Sequence, residues 1–537
     1  MPSDSPPSSL PAPDDSSTLP LAQLAERVRA QIGRPVDRWA IVATLEGLGL
    51  RDVDAPRYGP PDLFKLADAL APLCNTDSTP SVPPRRRSVG RGLLRTVTSY
   101  ARGLLFVAPM ALQIGAVLAL GYSLWAWLYF TEAQATVVAL GTLLSFVVTG
   151  GFVQCIGREG HVYLARQKPY RALRACRRLI GLGMATVGGV ALLFLLTNTV
   201  FPYYPTALMG ISALYFVLLS ALWLTLSLLY VADHLAAIAG VMLIGLGPVF
   251  AVMTYTEWGI HAAHGLGLVL TVVMSYGYGI AVLRRRARHL APPDRDETLP
   301  PLSIQIHRLR PYFGYGLCFF TFLSVDRIVA WSVAAPEPPP YIIWFRTPYE
   351  LGVDWALLSL LVTLTVLQHT VQTLSDWLFP SDQSMPMPLA EATHLISRFH
   401  LRQLAVTLLV GVLSIIGTYV GLRALDASSL MQDAPPLMQS SITTTVYWGA
   451  AVGYLLLAVG LHNLLFPLIL SAPHLPLRAL LYALGANLAV GTLLSRTVHY
   501  EYAVFGLLAG GLVLAVFSLV HTRRFLHTFP YRYYAAF

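Results

Sequence analysis

The chain has 537 residues, of which 55% are hydrophobic and only 12% are charged, and its formal net charge is +9. Soluble domains carry roughly 25% charged residues, so this composition excludes an ordinary water-soluble protein and indicates a chain that faces lipid. The arginines stand at the ends of apolar segments rather than in one stripe, which argues against a nucleic-acid partner.

The N-terminal part of the chain is polar. Residues 1–20 are rich in Pro, Ser and Asp and contain no apolar core, so they predict a disordered tail and not a signal peptide. Residues 21–76 predict a small cytoplasmic module of short helices, the last of them capped by Asp62. Residues 77–103 predict a linker followed by a basic segment at the membrane edge.

Apolar stretches of roughly twenty residues follow, which is the length that crosses a bilayer. They predict an all-α polytopic membrane protein of about twelve transmembrane helices. The predicted spans are 104–128, 133–156, 179–201, 206–231, 235–256, 262–283, 312–334, 354–379, 403–424, 445–471, 476–496 and 502–520.

Arginine and lysine positions predict the orientation of these spans. Nearly all of them fall on alternate connections, including the clusters at 158–178 and 284–288 and the pair Arg523 and Arg524. The exceptions are Arg346, Arg423 and Arg496. Because basic residues favour the cytoplasmic side, we expect a multi-pass protein of the bacterial cytoplasmic (inner) membrane with both termini in the cytoplasm.

Two long amphipathic connections indicate an internal repeat. One follows the second span, at 158–178, and the other follows the eighth, at 387–403, so they are six spans apart. Since six is even, two six-helix bundles would share one orientation, an arrangement common in transporters. The predicted segments are a first bundle at 104–283, a cytoplasmic linker at 284–311, a second bundle at 312–520 and a cytoplasmic tail at 521–537.

Asp326 and Arg327 are adjacent within the apolar run of the seventh span. A charged side chain at the bilayer centre costs roughly 2.5–3.5 kcal/mol on insertion scales, so it needs a partner or water. Adjacent residues point about 100° apart on a helix, and the two need not pair with each other. They are candidates for lining a transport pathway. The equal alternative is a structural latch, in which Arg327 pairs with Glu350 or Asp354.

A second group of candidates precedes and opens the eighth span, where rings and charged groups alternate. Rings beside charged groups suit stacking against sugars, but they also occur in the aromatic belt of any membrane interface, and we favour the belt. These outer-side candidates are Trp344, Arg346, Tyr349, Glu350 and Asp354.

The eighth span also carries a polar stripe. Gln368, Gln372 and Asp376 follow each other at four-residue spacing, with His369 beside them. Such a stripe faces a bundle interior or a wet cavity, so lining of a pathway and interhelical hydrogen bonding are both open.

Polar residues in other spans fit helix–helix hydrogen bonding, namely His462, Asn463 and Asn487. His261 and His264 stand near an outer helix end without a third ligand in the sequence, so we expect no metal there.

The sequence lacks the motifs of common catalytic sites. It contains no G-x-x-x-x-G-K-[ST], G-x-S-x-G or H-E-x-x-H pattern, and its four cysteines show no metal-ligand or C-x-x-C spacing. The first predicted outer loop is too short for the acidic metal site of a lipid-phosphate-dependent glycosyltransferase. We therefore expect no cofactor, no metal and no enzymatic activity, ATP hydrolysis included.

Two segments carry a family resemblance. YGLCFFTFLSVDRIVAW, at 315–331, and WFRTPYELGVDWALL, at 344–358, are similar to the membrane subunit of the Pel exopolysaccharide transporter (PelG-like). That family lies within the multidrug/oligosaccharidyl-lipid/polysaccharide (MOP) flippase superfamily, and the resemblance extends over about residues 95–525. It implies two six-helix bundles in a V around a hydrophilic cavity, and alternating access without ATP.

These observations lead to one hypothesis and three alternatives. We expect a transporter that moves an exopolysaccharide of the biofilm kind, or a lipid-linked oligosaccharide, across the bilayer, with a cytosolic glycosyltransferase as a candidate partner. The alternatives are a small-solute transporter of the major facilitator type, a membrane glycosyltransferase, and a scaffold whose N-terminal module recruits a polysaccharide synthase.

Overall fold

The computed structural model describes residues 21–32, 35, 37–75, 89–289, 298–334, 341–378, 389–428, 437–438 and 440–529. Its first helices are α1 (Leu21–Ile32), α2 (Arg38–Gly47) and α3 (Leu63–Asn75), with a 3-10 helix at Asp52–Tyr58 between the last two.

These three helices form a small module with its own apolar core. Leu24 of α1, Ile41 and Leu45 of α2, and Leu66 and Leu70 of α3 are all buried in one cluster. Their spacing of three or four residues places each set on one face of its helix, which is why the three faces converge.

Side-chain caps fix where α2 and α3 begin. Asp37 accepts a hydrogen bond from the backbone N–H of Ala40 at 2.9 Å, and Asp62 accepts one from Lys65 at 2.7 Å. These bonds satisfy backbone donors that the first helical turn leaves free.

Twelve longer helices follow along the described chain. Eleven of them are long and apolar enough to cross a membrane, and the first, α4, contributes a shorter apolar stretch at Val107–Leu120. They are α4 (Val89–Leu120), α5 (Glu132–Ala165), α6 (Pro169–Val200), α7 (Thr206–Val231), α8 (Leu235–Tyr255), α9 (Ile260–His289), α10 (Leu302–Trp331), α11 (Thr347–Leu378), α12 (Leu389–Asp426), α13 (Ser441–Ile469), α14 (His474–Thr497) and α15 (Val504–His527).

The twelve helices form two bundles, α4–α9 and α10–α15, in which equivalent helices make equivalent contacts. The second helix packs on the fourth and the fourth on the sixth, as α5–α7–α9 and α11–α13–α15. The fourth helix is the most buried in each bundle, with 72% of the apolar window of α7 and 67% of that of α13 buried. This equivalence supports an internal repeat of six helices.

The bundles meet where α5 packs on α10 and α4 packs on α11. Both contacts are close backbone approaches that need glycine. A Cβ at Gly316 of α10 would lie 2.3 Å from the carbonyl oxygen of Gly150 of α5, and one at Gly103 of α4 would lie 2.8 Å from that of Thr365 of α11. The inter-bundle contact therefore depends on the absence of side chains at these positions.

Successive helices reverse direction, so the molecule has two ends. The α5–α6 end holds the connection between α5 and α6, together with the start of α10. The α10–α11 end holds the connection between α10 and α11, together with the start of α9.

The predicted first span, 104–128, is wrong at its C-terminal end. α4 ends at Leu120, and residues 121–131 form a compact non-helical segment with an antiparallel bridge between Tyr122 and Trp127. Gly121 has φ +81, a left-handed conformation that commonly ends helices. The aromatic residues after it are apolar, so hydropathy alone did not reveal the break.

The two long amphipathic connections are helical rather than loops. α5 continues to Ala165 and α6 begins at Pro169, so residues 166–168 alone separate them. Proline suits the first position of a helix. The second connection, from Leu389 onward, is continuous with the membrane part of α12. Polar residues with good helix propensity extend these helices beyond their apolar cores.

Candidate functional site

A cluster of charged side chains joins the end of α10 to the start of α11. The guanidinium of Arg327 forms ion pairs with Glu350 and Asp354, the latter at 2.7 Å between Nη2 and Oδ1. The two carboxylates stand four residues apart on one face of α11, so the planar fork of one arginine reaches both. The pairing that the latch hypothesis required is present, within the second bundle.

Aromatic donors complete this cluster. The indole N–H of Trp331 donates to Oε1 of Glu350 at 2.8 Å, and the hydroxyl of Tyr349 donates to Oδ2 of Asp326 at 2.9 Å. Trp331 lies four residues after Arg327, which explains why both side chains reach Glu350. Tyr349 is fully buried in the second bundle, so the belt interpretation is wrong for this residue.

Asp326 is the incompletely bonded member of the cluster. Its side chain is fully buried, and its Oδ1 has no hydrogen-bond partner among the described residues. Leaving a buried acceptor unpaired costs about 1–3 kcal/mol, and more for a charged group. The three carboxylates of Asp326, Glu350 and Asp354 also outnumber the single guanidinium of Arg327. The cluster can therefore accept a further hydrogen-bond donor or positive charge at Asp326.

Trp344 and Arg346, two of the outer-side candidates, lie outside this cluster. The indole N–H of Trp344 donates to Glu132 at the start of α5, at 2.9 Å. Arg346 donates to the carbonyl of Val333 at 2.8 Å and lies over the ring of Tyr500.

The segment containing these two residues connects the bundles at the α10–α11 end. The backbone N–H of Phe345 donates to the hydroxyl of Thr136 on α5 at 3.0 Å. The hydroxyl of Tyr204, between α6 and α7, donates to the carbonyl of Ile343 at 2.7 Å. Residues 341–346 thus bridge the bundles beside the charged cluster.

The polar stripe of α11 lies far from the charged cluster. Gln368 is eighteen residues after Glu350, which corresponds to about 27 Å along a helix. Gln368, His369 and Gln372 are half-buried, on the helix that packs against α4. The side chain of Asp376 lies outside the described part of the chain. The structure therefore separates the stripe from Asp326 and Arg327.

An ion pair joins the two bundles. Its residues lie in the predicted connection at 158–178 and in the predicted linker at 284–311. Arg308 of α10 pairs with Glu159 of α5, and Nε2 of Gln305 donates to the other carboxylate oxygen at 3.2 Å. Glu159 is 1% exposed. Nearby, Arg158 donates to the hydroxyl of Ser471 at 2.8 Å. The sequence signal for this pair was the carboxylate of Glu159, which stands at the end of an apolar run among clustered arginines.

Rings stack across the inter-bundle contact. Phe146 of α5 stacks on Trp223 of α7, with centroids 4.8 Å apart, and on Phe320 of α10, at 5.5 Å. Phe319 meets Phe320 edge to face at 5.2 Å. The series runs from the first bundle into the second, and each of these rings is half-buried.

The polar residues expected to join helices do so in the second bundle. Oδ1 of Asn463 on α13 accepts from Nε2 of His400 on α12 at 2.8 Å, and Nδ2 of Asn463 donates to the hydroxyl of Ser518 on α15 at 3.0 Å. His462 lies 3.5 Å from the hydroxyl of Thr407. Asn487 of α14 donates to the carbonyl of Phe322 of α10 at 3.1 Å.

The same architecture recurs in solved transporter structures. One is an outward-facing multidrug resistance MATE family transporter of the MOP superfamily, with TM-score 0.53 and 13% identity over 81% of this chain and 97% of that one. A mutant Vibrio cholerae MATE transporter has TM-score 0.54 and 15% identity, over 83% of this chain and 99% of that one. A MATE transporter in complex with MaD5 has TM-score 0.56 and 12% identity, over 82% of this chain and 98% of that one.

No model of a known protein family matches the sequence, and no curated protein matches it. At these identities the structural likeness concerns the fold. The chain has the fold of MATE-like transporters of the MOP superfamily, as the sequence resemblance implied, and it is a polytopic membrane protein of that architecture.

Proposed function

We propose that the protein transports an exopolysaccharide or a lipid-linked oligosaccharide across the bacterial cytoplasmic membrane by alternating access, without an ATPase activity of its own. The observation that carries this proposal is the interface between two equivalent bundles. Separate sets of polar contacts hold this interface closed at its two ends. Such an interface supports motion of one bundle against the other around a central pathway.

The polar contacts that hold the interface closed differ in kind between the two ends. At the α5–α6 end, Glu159 and Arg308 are held across the interface by charge. At the α10–α11 end, Trp344 and Phe345 are held to α5 by two hydrogen bonds. Opening either end breaks a small number of polar contacts and leaves the opposite end in place, which is the requirement for alternating access.

The ring series between the bundles supports a saccharide substrate. Phe146, Trp223 and Phe320 lie along the contact between α5, α7 and α10. The apolar faces of sugar rings stack on aromatic rings, and aromatic side chains present a large apolar face without charge. Separation of the bundles would uncover these faces to the pathway.

We assign the Asp326–Arg327 cluster to this mechanism as a latch that holds α10 to α11 beside the pathway. Arg327 fixes the relative position of the two helices through Glu350 and Asp354. Asp326, with one free oxygen, is the member available to a passing donor.

In this proposal both termini are cytoplasmic, and the N-terminal module recruits a cytosolic glycosyltransferase that supplies the polymer. Labelling in intact cells tests the orientation. Ser428→Cys should react with a membrane-impermeant thiol reagent from outside, whereas Arg166→Cys should react only after the membrane is opened. External labelling at Arg166→Cys would reverse the topology.

The substrate is tested by measuring carbohydrate on both sides of the membrane in cells that carry or lack this protein. We expect secreted polysaccharide to disappear on deletion and carbohydrate to accumulate as polymer or lipid-linked intermediate inside. A deletion strain that secretes normally but loses efflux or uptake of a small solute would favour small-solute transport instead. Loss of secretion without internal accumulation would favour a scaffold for the synthase.

A further inference from the structure

The first bundle contains two histidines that share one tyrosine hydroxyl. His261 and His264 lie in the first turns of α9, three residues apart and therefore on one side of the helix. The hydroxyl of Tyr215 on α7 lies 2.5 Å from Nδ1 of His264 and 3.3 Å from Nδ1 of His261. Tyr215 and His264 are both buried, at 1% and 0% exposure.

One assignment of the hydrogen atoms satisfies both contacts. A tyrosine hydroxyl has one hydrogen to donate, and a neutral imidazole has one protonated and one bare nitrogen. We place the Tyr215 hydrogen on the shorter contact, toward Nδ1 of His264. The longer contact is then a bond from the N–H at Nδ1 of His261 to the hydroxyl oxygen. In this arrangement Nε2 of His261 is bare and Nε2 of His264 carries the hydrogen.

Nε2 of His261 is buried without a hydrogen-bond partner in the part of the chain that the structure describes, whereas His264 also interacts with the backbone of Ser123. A packing histidine normally has its ring nitrogens satisfied when it is buried. The second bundle provides the comparison, since His462 has Thr407 at 3.5 Å from Nδ1 and the carbonyl of His400 at 3.4 Å from Nε2. The bare Nε2 of His261 is therefore an acceptor available to a proton.

The groups around the pair leave room for one positive charge. α4 contributes the neutral Gln113, and the 121–131 segment contributes Phe130 and the phenol of Tyr122, which packs against the same apolar cluster as Tyr215. The carboxylates nearest along the chain at this end are exposed: Glu257, before α9, and Glu132, which accepts from Trp344. Two charged imidazoles bridged by one hydroxyl would repel each other strongly in this apolar setting.

An ordered aromatic segment covers the pair. The ring of Phe130 is stacked on His261, with centroids 5.5 Å apart and planes 14° apart, and Trp127 packs edge-on against Phe130 at 5.5 Å. Gln113 of α4 holds the segment by accepting the backbone N–H of Leu124 at 2.9 Å. Movement of residues 121–131 would expose Nε2 of His261 to water.

We propose that His261, Tyr215 and His264 form a proton-binding site of the first bundle that takes up one proton for the pair. The proton adds to Nε2 of His261. The hydrogen at Nδ1 of His261 then passes to the Tyr215 oxygen as the Tyr215 hydrogen passes to Nδ1 of His264. One positive charge is gained in total, and no other reactant is needed. The site stands independently of what the protein transports.

The test is a potentiometric titration of the full-length protein in detergent micelles from pH 8 to pH 5, with the proton itself as the probe. We expect His261→Gln to bind one proton fewer than the unaltered protein over this range. His462→Gln, a matched buried control with partners at both nitrogens, should bind the same number. His394→Gln, which removes an exposed histidine, is the control for the sensitivity of the measurement.

Tyr215→Phe tests whether the two histidines share a proton through the Tyr215 hydroxyl. Because this variant keeps both imidazole rings, it also tests the site if His261→Gln does not fold. It should shift the midpoint of the pair's proton uptake because the hydrogen-bonded link is lost. Equal proton counts for the unaltered protein and His261→Gln would overturn the site, and so would a Tyr215→Phe titration that superimposes on that of the unaltered protein.

Discussion

Arg308 of α10 pairs with Glu159 of α5 across the interface of the two bundles, and the carboxylate of Glu159 is almost completely buried there. The pair lies at the α5–α6 end, whereas the second charged cluster of α10, around Arg327, lies near the other end of the same helix. α10 is thus bound by charge to the first bundle at one end and to its own bundle at the other.

Reversal of the inter-bundle pair should restore what either single change removes. Glu159→Arg places two cations at the contact, and Arg308→Glu places two carboxylates there, so each alone should destabilise closure of the α5–α6 end and lower secretion. The double variant Glu159→Arg/Arg308→Glu restores opposite charges and should regain much of it. Secretion and thermal stability of the purified protein measure the effect. Equal defects in the single and double variants would show that the pair does not hold the interface.

The two ion pairs of Arg327 should differ in strength. The side chain of Glu350 is 5% exposed and that of Asp354 is 59% exposed. Removing one partner of a buried pair costs about 3–5 kcal/mol, whereas an exposed pair contributes about 0–1 kcal/mol. Glu350→Gln and Arg327→Gln should therefore lower the thermal midpoint clearly, and Asp354→Asn should change it little. A loss for Asp354→Asn as large as that for Glu350→Gln would refute this ranking.

Asp326→Asn discriminates between the two interpretations of the charged pair, because it keeps the shape of the side chain and its contact with Tyr349. If Asp326 serves the pathway, folded protein should stay near normal while secretion falls. Loss of folded protein with parallel loss of secretion would instead make Asp326 a purely structural member of the latch.

Gly316→Ala should separate the bundles. Its added Cβ would lie 2.3 Å from the carbonyl oxygen of Gly150, and overpacking of this kind costs about 1–3 kcal/mol. Gly157→Ala, on α5 with no atom within 4 Å of the new Cβ, is the control and should be neutral. Thermal stability and secretion of both variants measure the effect. Wild-type values for Gly316→Ala would mean that α5 and α10 do not meet closely at this crossing.

Cys74 reports on the N-terminal module through its pKa. Burial raises the pKa of this thiol above its ordinary value of 9.0, with Arg29 acting weakly in the opposite direction. The folded state thus holds the proton more tightly than the unfolded state, so this contribution to stability is present below pH 9.0 and is lost as the pH rises above it.

Maleimide labelling of Cys74 in a variant without the other cysteines, measured from pH 7 to pH 10, checks this expectation. Reaction should be slow throughout the lower range and should accelerate when urea unfolds the module. Rapid reaction of the folded protein at pH 7 would contradict the burial of the thiol.

Much of the architecture could be predicted from the sequence because lipid imposes long apolar helices. The runs at 206–231 and 235–256 coincide with α7 and α8 almost to the residue. The prediction failed where hydropathy and helicity diverge. Apolar rings continue past Gly121 although the helix does not, and polar residues continue α5 to Ala165 although the apolar core has ended.

The candidate site was predictable only in part. Arg327 stands out because a cation within an apolar run demands a partner, and Glu350 and Asp354 stood at helical spacing nearby. Glu159 and Arg308 did not stand out, because each lies among polar residues and their contact depends on how two distant helices pack.

In our proposal, the two bundles move against each other to export a saccharide polymer or lipid-linked oligosaccharide. The most informative experiment joins Phe152→Cys of α5 to Phe313→Cys of α10, whose rings meet across the interface with centroids 5.1 Å apart, by a short reducible cross-linker. The protein lacks its four native cysteines and keeps the Glu159–Arg308 pair, and secreted polysaccharide is measured before and after reduction. If the bundles must move against each other, cross-linking should stop secretion and reduction should restore it. Undiminished secretion by fully cross-linked protein would contradict the proposal.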